Sequence, residues 1–239
     1  MAGHSKWNNI KAKKEKTDAQ KAKIFTKMGR EIAVAVKEGG PNPDQNSKLK
    51  DVIAKAKSNN VPNENIERII KKAAGEGNSD NFENIIYEGY ALAGVAVIIR
   101  ALTDNRNRTA GDIRHIFDKH GGNMGQSGCV SFLFDLLGVI IIEDDGIDAD
   151  KLMEDAINAG AIDFIIGEEY FEIRTEPKDF NIVREALEKD GYKFASADTS
   201  FVPKTTVKVE NEEEIQKIEK MLDMFDDNDD VQSVDTNME

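Results

Sequence analysis

Apolar residues recur at helical spacing along the first third of the chain. Ile24, Phe25, Met28, Ile32 and Val36 fall on one face of a helix expected from Thr17 to about Glu38, opened by a capping box over Thr17 to Gln20. Lys23, Lys27, Arg30 and Lys37 take its other face. Gly39 to Pro43 ends that helix in a turn. A second helix, Ser47 to Ser58, points Leu49, Val52, Ile53 and Ala56 inward and Lys48, Lys50, Lys55 and Lys57 outward. Asn59 to Pro62 breaks it, and a third helix with Ile66, Ile69, Ile70 and Ala73 inward stops at Gly75. Three short amphipathic helices predict a bundle that needs a neighbour to be stable.

Beyond Gly75 the pattern changes. The polar stretch Gly75 to Asn84 reads as a boundary, followed by one strand from Tyr90 towards Leu102. Thr103 to Thr109 is a turn rich in side-chain donors, and Thr109 with Asp112 gives a capping signal for a helix burying Ile113, Ile116 and Phe117 and closing at His120 to Gly122. A strand is expected over Val130 to Phe134. Strand Val139–Glu143, helix Asp148–Ala159, strand Ile162–Ile166, strand Tyr170–Arg174, helix Lys178–Lys189 and strand Tyr192–Phe201 then spell βαββαβ, the ferredoxin-like arrangement. A short strand Thr206–Val209, a helix Glu212–Phe225 and a strand Val231–Asp235 finish the chain.

Charge sharpens this picture. The whole chain carries −13, yet residues 1–72 carry +9, residues 73–138 carry −3 and residues 139–239 carry −19. A basic lobe draws polyanions and an acidic one repels them. With 39% hydrophobic and 32% charged residues, and no apolar run near the length of a membrane span, the composition is that of a globular protein away from membranes. The basic start lacks an apolar h-region, so no secretory signal is expected. The single cysteine, Cys129, allows no internal disulfide and no cysteine-built metal site, and a cytoplasmic location is expected.

Nothing in the pattern calls for covalent chemistry. His4, His115 and His120 have neither metal nor triad spacing, and Cys129 lacks a nearby cationic run. The glycines from Gly121 to Gly128 leave a helix and enter a strand, the reverse of a phosphate-cradling loop. Asp226 to Asp230 lacks the interior glycine and the spaced glutamate of a calcium loop, which leaves a solvated acidic turn. No cofactor, metal or small-molecule substrate is expected.

The candidate chemistry is binding. Residues 1–16 set Lys6, Lys11, Lys13, Lys14 and Lys16 beside His4 and the only tryptophan, Trp7. That pairing of charge with a flat ring suits phosphates and unstacked bases. The plain alternative is a solvated tail with Trp7 tucked against the next domain. Lys23, Lys27, Arg30, Lys55 and Lys57 extend the basic surface along the helices. Asn105, Arg106, Asn107, Arg108 and Arg114 form a second cluster beside a helix start that favours anions, or else an ordinary turn with exposed arginines.

Several stretches resemble one family. Gly3-His-Ser-Lys-Trp7 with Asn9-Ile-Lys11, Phe25 and Arg30-Glu-Ile32 is similar to the opening of the YebC family. Asn60-Val-Pro62, Asn65 to Arg68, Lys71-Lys72, Tyr87-Glu-Gly-Tyr90, Leu102 to Thr109, Gly121-Gly122 and Asp229 to Gln232 with Asn237 continue the resemblance from end to end. The chain departs at Tyr90-Ala-Leu-Ala-Gly94, where the family has a more glycine-rich run, and Cys129 stands where serine is common.

The resemblance implies an α+β protein of three domains: a helical bundle at 1–75, an α/β domain at 76–135 plus 203–239, and a ferredoxin-like domain at 136–202 inserted in the second. It implies a non-enzymatic regulator of gene expression that binds DNA. Family members also activate translation in mitochondria, and bacterial ones are linked to ribosomes stalled on proline runs. A ribosome-associated factor binding ribosomal RNA is therefore the alternative. A module whose acidic lobe binds a basic protein is the competitor from another class.

Overall fold

A computed structural model describes Trp7, residues 18–75 and residues 81–239. Three helices come first: α1 (Asp18–Gly39), α2 (Ser47–Ser58) and α3 (Asn63–Ala74). They bury Met28, Ile32, Ala35, Val36, Leu49, Val52, Ala56 and Ile66 in one cluster, the stripes that helical spacing selects. Asn46 caps α2 by accepting from the Leu49 amide, and its own amide group donates to Ala35 and Gly40. That side chain is 6% exposed and stitches the first turn to the second helix.

The first sheet holds β1 (Glu83–Tyr90), β2 (Ala96–Thr103), β3 (Asn123–Met124) and β8 (Val231–Thr236), in the order β3-β1-β2-β8. Two helices, α4 (Arg106–Lys119) and α7 (Glu212–Asp227), join its core. Ile113, Ile116 and Phe117 from α4 meet Ile218, Met221 and Phe225 from α7 over Val97, Ile99 and Ala101. The Phe117 and Phe225 rings lie 4.9 Å apart, tilted by 59°. The intervening β2 residues Ala96 and Ile98 pack instead with Val130 and Phe134. Burial on both faces makes the first half of β2, Ala96 to Ile99, an apolar run that Arg100 interrupts.

The second sheet is built from β4 (Phe134–Glu143), β5 (Asp163–Ile166), β6 (Tyr170–Thr175) and β7 (Ser196–Pro203), with α5 (Ala149–Ala159) and α6 (Phe180–Lys189) between strands. Its order is β5-β6-β4-β7, antiparallel throughout. Leu152 and Ala156 of α5 and Val183 and Leu187 of α6 bury against Ile140, Ile142, Phe171 and Ile173. The protein is thus a mixed α/β fold of helices and antiparallel sheets.

Four local expectations are corrected. The single strand from Tyr90 to Leu102 is a hairpin, because Ala93 (φ 55°) and Gly94 (φ 74°) turn left-handed and the Ala91 amide donates to the Val95 carbonyl at 2.8 Å. The apolar turn residues concealed it. The capping signal at Thr109 gives way to Asn105, whose Oδ1 accepts from the Arg108 amide at 3.1 Å, so α4 starts at Arg106. Val130 to Phe134 is a short 3-10 turn leading into β4. Thr206 to Val209 forms one isolated bridge, Val207 to Met238. The expected cap at Thr17 lies outside the described residues.

The face of the second sheet away from its helices is covered in part by Trp7, which is 3% exposed. Its ring stacks on Tyr170 with centroids 5.3 Å apart, among Val139, Ile141 and Val202. Its indole N–H points at Glu169 at 3.4 Å. Replacing a buried tryptophan by alanine typically costs about 3–5 kcal/mol. Trp7→Ala should therefore lower the denaturant midpoint clearly, and Trp7 fluorescence in the unaltered protein should resist quenching by iodide.

Candidate nucleic-acid interface

Asp230 joins the two basic clusters that the sequence presents separately. It sits at the start of β8, 4% exposed, with its amide donating to Asn228 and its carbonyl accepting from the Leu102 amide. Arg30 of α1 donates to Oδ1 at 2.5 Å. Arg108 of α4 donates to Oδ2 at 2.9 Å, and the Thr109 and Thr103 hydroxyls lie 2.7 and 3.2 Å from the same oxygen. Burial alone would push this carboxyl up, but the hydrogen bonds from Thr109, Arg108 and Arg30 outweigh it and hold it below the ordinary aspartate value. Hydrogen bonds to Asp230 and then to Asp104 raise the pKa of Arg108 in return.

Around this carboxylate the candidate residues take distinct positions. Lys23, Lys27 and Arg30 lie at i, i+4 and i+7 on one face of α1. Lys23 pairs with Asp227 at 2.8 Å, Lys27 donates to the Asp226 carbonyl at 2.6 Å, and Arg30 also donates to the Asp229 carbonyl at 2.8 Å. Arg108 reaches Asp104 as well as Asp230. Asn105 is the helix cap, while Arg106, Asn107 and Arg114 are exposed. Asn107 and Arg114, seven residues apart, share one side of α4.

Lys55 is placed elsewhere. It lies between Glu31 at 3.0 Å and Asp198 at 2.7 Å. Burial pulls its pKa down, and the Asp198 and Glu31 carboxylates more than restore it. Beside it Lys50 pairs with Glu185, and Asp51 accepts from Arg184 and Asn181. These contacts bind α2 to the acidic lobe. Lys57 is exposed, and among the described residues Lys57, Arg106 and Arg114 are in no ion pair. His4, Lys6, Lys11, Lys13, Lys14 and Lys16 lie outside the described residues, and Trp7 packs as given above.

The run from Tyr87 to Tyr90 serves the fold. The Tyr87 hydroxyl lies 3.4 Å from the Arg106 carbonyl, and the Tyr90 hydroxyl donates to the Cys129 carbonyl at 3.2 Å. A Cβ on Gly89 would meet Phe117 at 2.7 Å, so only glycine lets that ring approach. Glu88 accepts from the amides of Gly128, Val130 and Ser131 at 2.7–2.8 Å. Burial would raise its pKa, yet those three amides hold it low. An internal carboxylate thus takes the donors that a phosphate would need from the glycine-rich loop.

Sequence reasoning passed over Asp230, Thr103 and Thr109 as functional positions. The expected acidic turn over Asp226 to Asp230 is corrected: Asp226 and Asp227 end α7, both are exposed like Asp229, and Asp230 turns inward. The one available signal was that threonines flank the arginines at 103 and 109, where a hydroxyl serves a buried acceptor.

Asp230→Asn should cost about 2–3 kcal/mol, below the roughly 3–5 kcal/mol of a fully buried pair because both guanidiniums reach solvent. The lowered carboxyl contributes stability above its unfolded value near 3.8 and loses it as the pH falls below that. Acid unfolding of the variant should start from lower stability and show a shallower pH dependence, as measured by urea denaturation at several pH values. Comparison with known proteins places these residues in context. Residues 82–238 match the model described as the TACO1/YebC second and third domain, and residues 5–76 match that of the TACO1/YebC protein N-terminal domain. A protein of Acetivibrio thermocellus named "Probable transcriptional regulatory protein" is 61% identical, covering 98% of this chain and 97% of its own. One of the same description from Thermoanaerobacter pseudethanolicus is 55% identical over 100% of this chain and 97% of its own. The crystal structure of a conserved hypothetical protein from Aquifex aeolicus superposes with a TM-score of 0.85 at 49% identity, covering 94% of this chain and 92% of that one. The chain belongs to the TACO1/YebC family.

Proposed function

We propose that the protein is a non-enzymatic, cytoplasmic regulator of gene expression that binds nucleic acid through phosphate contacts. The observation that carries this is the meeting of Arg30 and Arg108 on Asp230. It links the face of α1 that carries Lys23, Lys27 and Arg30 to Arg108 of α4, the helix on which Arg106 and Arg114 lie exposed. Arg106 and Arg114 are its outward contacts, with Asn105 and Asn107 beside them. Guanidiniums at a helix start suit phosphate oxygens and carry little base information. DNA is the first target, in line with the names of the relatives.

The domain reading belongs to this proposal. Pairing of β8 with β2 supports an α/β domain made of 76–135 and 203–239. The strand order of the second sheet supports a ferredoxin-like domain at 136–202 between those halves. The −19 of residues 139–239 favours the second target, ribosomal RNA, because an extended duplex would run past that charge whereas a ribosome also offers basic protein.

A salt titration with labelled duplex DNA and a ribosomal RNA fragment tests the reading. Affinity should fall steeply with salt, and Arg106→Ala with Arg114→Ala should flatten the logarithmic slope by about two on DNA, since each lost phosphate contact removes about 0.9. The melting temperature should stay unchanged, as both side chains are exposed. A flat salt dependence, or an unchanged slope in the double variant, would sink it. Tighter binding of one probe decides between the targets.

A further inference from the structure

We propose that the C-terminal end of α7 and the acidic turn after it compete within the molecule for the basic face of α1. A polyanion would then gain that face only by displacing the turn. This rests on the nucleic-acid reading above and adds a regulatory contact to it.

The turn meets α1 cation by cation. Asp227 takes Lys23 at 2.8 Å, the Asp226 carbonyl takes Lys27 at 2.6 Å, and the Asp229 carbonyl takes Arg30 at 2.8 Å. Two kinds of negative charge act together here. The carboxylate comes from Asp227 at the end of α7, and the carbonyls come from Asp226 in its last turn, where the helix dipole is negative, and from Asp229 in the turn that follows. Phosphate oxygens would approach the same ammonium and guanidinium hydrogens, and a hydrogen donated to the turn is not available to a phosphate.

The contact divides into a fixed part and an exchangeable one. Asp230 is 6% exposed at its side chain and is held by α4 as well as by α1, so it stays in place. The Lys23–Asp227 pair is 39% and 64% exposed, which makes it weak and easily exchanged. Asp230 therefore acts as the pivot, and the segment before it as the part that yields.

The test compares two double variants of the full chain that gain equal charge. Asp227→Asn with Asp229→Asn removes the carboxylate partner of Lys23 and one further charge of the turn, and it spares Asp230 and the two carbonyl contacts. Glu212→Gln with Glu213→Gln alters the other end of α7, about 22 Å away at 1.5 Å per residue. That exceeds the screening length of about 8 Å at physiological salt. With labelled duplex DNA and single-stranded RNA as probes at that salt, the first variant should bind roughly twofold to fivefold tighter than the unaltered protein. The second should match the unaltered protein. Equal tightening by both variants would reduce the effect to net charge and overturn the proposal, as would no tightening by the first. If the unaltered protein and both variants ignore both probes even at low salt, the nucleic-acid reading falls and this proposal falls with it.

Discussion

Opposite charges on the two ends of the chain are satisfied against each other before any partner arrives. The strongest of these contacts is Asp230, a buried carboxylate shared by Arg30 and Arg108. Lys55 between Glu31 and Asp198, Arg184 on Asp51 and Lys50 on Glu185 repeat the theme along α2. The exposed pairs contribute little each. Asp230 matters more, because burial makes its partners obligatory. This mating sets where the helices stand relative to both sheets.

It also decides which cations remain for binding. A count of lysines in the first 72 residues overstates the basic surface, since α2 spends Lys50 and Lys55 on the acidic lobe. Lys23, Lys27 and Arg30 of α1 are engaged in turn by the end of α7 and the residues after it, which leaves Arg106 and Arg114 of α4 facing outward. This placement is what the nucleic-acid proposal rests on, and the relatives are named for transcription.

The glycine-rich loop shows the same economy of internal partners. Its amides converge as they would on an anion, and Glu88 supplies that anion from within the chain. Tyr87, Gly89 and Tyr90 hold the neighbouring elements around it. The loop that its helix-to-strand direction sets aside as a phosphate cradle has its amides taken up by the chain's own carboxylate.

The sequence by itself determined the helices, most strands and the polarity of charge, because each depends on spacing or composition within a short window. Leu49, Val52 and Ala56 mark their helix face locally, and the βαββαβ order follows from runs that alternate in period. The hairpin at Ala93 and Gly94 escaped because an apolar turn carries no polar signal. The partners of Asp230, Lys55, Glu88 and Trp7 were decided only by tertiary structure. Each pairing spans a long separation in sequence, and whether a charge or ring faces solvent or a partner is set by which surfaces come together.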